Sequence, residues 1–208
     1  MQVAVALVTG TRRASLGSAS TKPRGEAAGA ASPSARTTPP SPRPAAARSS
    51  AALSRSTHNR VKIAVVPEGA GRHAVTHYEV LETFSDREVS ASDKNPPVAS
   101  LVRLVLETGR THQIRVHMAH IGHPLLGDPV YGKGFLTRAA RLPEAARDKL
   151  ATLGRQALHA AELGFEHPVT GKSLRFQSQL PEDLEGLISS LRQATARKVP
   201  ARGRSRRN

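Results

Sequence analysis

Residues Glu107–Gly132 read ETGRTHQIRVHMAHIGHPLLGDPVYG, and the local architecture follows from their spacing. They come after Leu101-Val102-Arg103-Leu104-Val105-Leu106, an alternating apolar run that suits a half-buried strand. Thr108-Gly109 then marks a turn, and Thr111 is placed to cap a helix. From His112 the spacing changes. Ile114, Met118 and Ile121 fall four and three apart, as on one helical face. Gly122 is placed to end that helix, and Pro124 prevents its continuation. The stretch therefore reads strand, tight turn, short helix, stop, and a loop through Gly127-Asp128-Pro129.

Arg115 lies beside the apolar stripe of this helix, with His112 three residues earlier on the same side. Ala119 and Gly122, one turn further on, are small and leave room for something to approach Arg115. A guanidinium at the edge of a core-facing stripe can be held rigidly while offering its fork to a carboxylate or phosphate. The alternative is a snorkelling arginine whose stem covers apolar surface. His112, His117, His120 and His123 are dense enough to raise a metal site. Residues 112 and 117 are five apart and point in different directions on a helix, and no thiolate or well-placed carboxylate completes a set. No metal is expected, and packing, capping or phosphate contact is the better reading of these histidines.

The whole chain divides by charge. Its 208 residues carry a net +15, yet residues 58–195 hold 17 Lys/Arg against 15 acids, while residues 1–57 hold 8 against one and residues 196–208 hold 6 against none. The excess sits at the two ends, where it suits RNA phosphates or a merely solvated tail. There are no cysteines, which excludes disulfides and thiolate metal sites, and no apolar run is long enough to cross a membrane as a helix.

Residues 1–52 are rich in Ala, Ser, Pro, Gly and Arg, and Thr37–Pro44 has no apolar periodicity. Three readings stand side by side: an organelle transit peptide (chloroplast or mitochondrion, against an otherwise cytoplasmic protein), a disordered basic arm, or a misjoined segment. Val61, Ile63 and Val65 alternate as in a strand, and Ala74–Phe84 is β-rich. Asp86–Ser100 is polar and contains Asn95-Pro96-Pro97, as in a loop. Leu142–Leu153 reads as a helix closed by Gly154. Ala157–Glu166 and Ser173–Gln179 read as a hairpin, and Leu184, Leu187, Ile188 and Leu191 stripe a terminal helix. Strands without a repeating βαβ unit predict an α+β fold with a mixed or antiparallel sheet and flanking helices.

Several blocks then agree. The run Gly109–Gly132 resembles the C-terminal signature of the RluA-type RNA pseudouridine synthases. His73-Ala74-Val75-Thr76-His77-Tyr78 resembles the "PAVTHY" segment of that family, and Leu53-Ser54-Arg55 through Val65 resembles its lead-in. Leu158-His159-Ala160, followed by Phe165–Gly171, resembles its "LHA…FxHPxTG" hairpin. The resemblance spans about Leu53 to Arg192, and ordered blocks are more specific than one motif. Val5–Gly10 also resembles the family's "Y-x-A-x-V-x-G" strand, with Ala4 at the tyrosine position, which would make residues 11–52 an insertion.

The resemblance implies isomerisation of uridine to pseudouridine in ribosomal or transfer RNA, on a bent sheet with an RNA-binding cleft, without cofactor or metal. The expected organisation is disordered 1–52, a partial pseudouridine synthase catalytic domain over 53–195, corresponding to its C-terminal half, and a basic tail over 196–208. In the family, the residue matching Arg115 pairs with a catalytic aspartate of an "H-R-L-D" block. None of Asp86, Asp93, Asp128, Asp148 and Asp183 sits in such a block, and Asp128 reads as a loop-ordering residue. Arg115 is thus expected without its aspartate, and the chain alone is expected to be inactive or nearly so. Arg110, His112, Gln113 and His117 are the expected RNA contacts. RNA is the expected partner, with no membrane and a monomeric state. A non-catalytic RNA-binding relative and a non-functional fragment are the alternatives.

Overall fold

The computed structural model describes residues 1–10, 46–57, 61–85, 97–133 and 136–196. Their alternating apolar segments form seven strands: β1 (Gln2–Thr9), β2 (Ala46–Arg55), β3 (Ile63–Val66), β4 (Arg72–Phe84), β5 (Ala99–Leu106), β6 (Leu158–Glu166) and β7 (Ser173–Gln177). They join one sheet in the order β3-β2-β4-β5-β1-β6-β7, and each neighbouring pair runs antiparallel. Four helices accompany it: α1 (Gln113–His120), the short α2 (Leu136–Ala139), α3 (Glu144–Leu153) and α4 (Glu182–Ala196). This is the expected α+β arrangement, with the sheet antiparallel.

Successive side chains of a strand point to opposite faces, so the sheet has two cores. On one face Ala4, Ala6 and Val8 of β1, Tyr78 and Val80 of β4, and Val102 and Leu104 of β5 pack beneath Ile114 and Met118 of α1. On the other, Leu7, Phe84 and Leu101 pack against Leu142, Ala146 and Leu153 and against the α4 stripe of Leu184, Leu187, Ile188 and Leu191. Val116 of α1 reaches a third, smaller cluster with Leu53 and Ala74. The anticipated stripes of α1, α3 and α4 therefore face the sheet, and Gly154 closes α3 in the left-handed conformation.

The expectation of a disordered 1–52 does not hold where those residues are described. The strand suggested by Val5–Gly10 is β1, which lies inside the sheet between β5 and β6, and β2 begins at Ala46. A strand buried on both faces reads as a nearly continuous apolar run, and a short Val/Ala/Leu segment of that kind does not by itself declare its place. β2 is rich in Ala and Ser, poor strand formers, yet pairs with β4 from Ala46↔Glu79 to Leu53↔Arg72, so tertiary pairing outweighs propensity. Residues 11–45 and the tail beyond Ala196 lie outside the described residues, as does most of the expected 86–100 loop.

The loop after α1 is tied to the sheet centre. Leu126 N–H donates to Leu7 O at 2.9 Å, and Ala157 N–H donates to Leu126 O at 2.8 Å. Gly127 lies between these ties and Asp128 with φ 71°, and a Cβ there would stand 2.3 Å from Arg155 O. Gly127→Ala is expected to lower stability by about 1–3 kcal/mol through backbone strain and this clash. A urea melt indistinguishable from wild type would contradict that expectation.

Candidate functional site

Thr108, Gln113, Thr76 and His117 make a hydrogen-bond chain that fixes the turn before α1. Val75 N–H donates to Thr108 Oγ1 at 3.0 Å, and Thr108 Oγ1 donates to Gln113 Oε1 at 2.8 Å. The same Oε1 accepts Arg110 N–H at 3.0 Å. Gln113 Nε2 donates to Val75 O at 2.9 Å and to Thr76 Oγ1 at 3.0 Å. The Thr76 hydroxyl, which accepts from Gln113, is also hydrogen-bonded to His117 Nδ1 at 2.9 Å. His117 Nε2 is buried and has no hydrogen-bond partner among the described residues. Burial, with the nearby charges of His120 and His73, pushes its pKa down to about 4.

Arg115 stands on the neighbouring face of α1. Its Nε donates to Asp128 Oδ2 at 2.7 Å and its Nη2 to Asp128 Oδ1 at 2.8 Å. The Arg115 side chain is 11% exposed and that of Asp128 0%. Oδ1 also accepts Val130 N–H and Tyr131 N–H, each at 2.9 Å. Burial alone would raise the Asp128 pKa, but the hydrogen bonds from Arg115, Tyr131 and Val130 and the Arg115 charge hold it below the usual carboxylate range. The hydrogen bond to Asp128 raises the Arg115 pKa in turn.

Tyr131 closes the cluster. The Arg115 guanidinium lies 5.0 Å from its ring centroid, and His112 meets it edge-on at 5.7 Å. Tyr131 Oη accepts Ile63 N–H at 2.8 Å and lies 3.1 Å from His112 Nδ1. His112 itself, rather than Thr111, is the helix cap: it sits at φ 54° and makes no side-chain capping bond. Burial first, then the Arg115 charge, lowers its pKa. On the opposite sheet face His77 and Glu107 pair, and this hydrogen bond, with the charges of His77 and Arg48, lowers the Glu107 pKa.

These contacts sort the expected site residues. Arg110 is exposed, and His112 is half-buried at the surface of the cluster. Gln113 and His117 are buried and hydrogen-bonded within the framework. Within the chain the Arg115 fork is occupied by Asp128, which lies outside any "H-R-L-D" block and also accepts the two loop N–H groups. Spacing along the chain does not reveal this pairing, nor the role of Tyr131, because the loop between them must fold before they meet. No group of three or more His, Asp or Glu is placed to hold a metal ion among the described residues.

The chain is similar to known proteins. A family profile described as RNA pseudouridylate synthase matches residues 25–120. Ribosomal large subunit pseudouridine synthase D of Zymomonas mobilis subsp. mobilis is 45% identical over 141 residues, 68% of this chain and 39% of that protein. The chain belongs to the RNA pseudouridylate synthase family. The protein of the same name from Pseudomonas aeruginosa is 48% identical over 138 residues, covering 64% of this chain and 37% of its own. Among solved structures, human RNA Pseudouridylate Synthase Domain Containing 1 aligns over 92% of this chain and 65% of its own with a TM-score of 0.50 and 22% identity, which shows a shared fold. The family isomerises uridine in RNA. This chain spans about two fifths of the length of the curated relatives it matches.

Proposed function

We propose that this chain serves in uridine isomerisation in RNA, with ribosomal RNA as the substrate, by supplying the rigid arginine-bearing part of the site. The observation that supports the reading most is that Arg115, Asp128, Tyr131 and His112 converge into one fixed cluster beside the exposed Arg110, in a chain of this family. Isomerisation breaks the N1–C1′ bond, forms a C5–C1′ bond and releases the C5 proton, so its balance calls for no redox partner. It does need a nucleophile or an equivalent means of cleaving the glycosidic bond. Asp128 is saturated by four donors and fully buried, which suits a mount rather than an attacking group.

The second reading, a non-catalytic RNA-binding relative, is favoured by that same saturation of Asp128. Reading the native transcript through the Met1 codon separates the two: a frame continuing into an "H-R-L-D"-like block supports the enzyme. Both readings require RNA binding. Filter binding of a large-subunit rRNA fragment is expected to show affinity that falls as salt rises. Absence of binding at low salt would overturn both.

A further inference from the structure

A cavity of about 320 Å³ opens where strand ends meet the turn before α1, and its lining includes Arg55, Arg72, Arg110, Ser54 and Thr111. Three arginines meet there from three elements: Arg55 ends β2, Arg72 begins β4, and Arg110 sits in the turn. All three are exposed, and none has an ion-pair partner among the described residues. By contrast Arg103, Arg115, Arg155, Arg175 and Arg192 each pair with a carboxylate. Cations gathered without a counter-charge repel one another and favour an incoming anion.

The cavity is built on fixed backbone. Leu53 and Arg72 are cross-strand partners, and Arg55 pairs with Ile63. Gly71 lets the strands close, since a Cβ there would stand 2.6 Å from Val66 Cγ2 and 2.8 Å from Leu53 O. Arg110 is anchored through its N–H to Gln113, and Ile63 N–H is bonded to Tyr131, which joins the cavity wall to the Arg115 cluster. Guanidinium forks match phosphate oxygens, and the hydroxyls of Ser54 and Thr111 add donors.

We propose that Arg55, Arg72 and Arg110 form one pocket for a single phosphodiester of the bound RNA. This rests on the RNA-binding reading above. The test is binding of the large-subunit rRNA fragment by the full chain over a salt series, with Arg55→Gln, Arg72→Gln, Arg110→Gln, the triple variant, and the exposed Arg147→Gln on α3 as control. One shared phosphate predicts an affinity loss of about tenfold or more for the triple variant, and a salt slope reduced by about one. Single losses should sum to more than the triple loss, because each removes part of the same contact. An unchanged affinity, or a slope reduced by about three with additive single losses, would overturn the pocket.

A second measurement stands apart from binding of the long RNA. In ¹⁵N-labelled chain, the Nε–H signals of the three arginines should shift together on one binding curve when uridylyl-uridine is added. No shift, or a shift with inorganic phosphate but not with the dinucleotide, would overturn the proposal. Absence of rRNA binding together with a dinucleotide shift would sink the functional reading and leave the pocket standing.

Discussion

Replacing Asp128 with alanine lowers the unfolding free energy by about 3–5 kcal/mol, the range for stranding one member of a buried ion pair. The substitution leaves the Arg115 guanidinium, 11% exposed, without its carboxylate, and strips Val130 N–H and Tyr131 N–H of their acceptor. The loss is mainly the uncompensated charge, so the double variant Arg115→Met, Asp128→Asn is expected to cost less than Asp128→Ala alone. Asparagine keeps an oxygen for the two loop N–H groups, and methionine removes the charge while retaining apolar volume. Urea denaturation of the three proteins checks the order. An Asp128→Ala variant within about 1 kcal/mol of wild type would show that the pair is not a mount.

Acidification is expected to weaken the fold through His117 before it reaches Asp128. The unfolded histidine takes up a proton near its ordinary 6.5, whereas the buried ring resists until about 4. A depressed folded pKa gives stability that is present above 6.5 and is lost as pH falls through the folded value. The window corresponds to about 3 kcal/mol at most. Asp128, held below the carboxylate range, contributes stability that is kept through most of this window and lost only at lower pH. Stability measured at pH 7 and pH 4.5 for wild type and His117→Gln should show the steeper fall in wild type. Equal falls would contradict the assignment of a neutral, buried His117.

The parts of the fold that were legible in the sequence are those whose period and punctuation agree. The α4 stripe of Leu184, Leu187, Ile188 and Leu191 and the Pro143 and Gly154 ends of α3 are local signals, and they survive in the structure. β1 was not legible from its own residues as an inner strand, because that place is set by partners in β5 and β6, far along the chain. β2 depends on β4 in the same way. In the site, the position of Arg115 on the helix edge was readable. Its pairing with Asp128 was not, since that depends on how the loop after Gly122 returns over α1. Gln113 and His117 share a polar vocabulary with RNA contacts, and only burial separates framework from surface.

Whether the buried Arg115–Asp128 pair is a mount and not an attacking centre is decided by tritium release from a large-subunit rRNA transcript labelled at uridine C5, because isomerisation expels that proton. The 208-residue chain, purified alone and shown to bind the transcript, is expected to release little or none, since Asp128 is committed to Arg115 and the loop. Robust release that depends on the chain would refute this assignment and place an attacking or equivalent group within it.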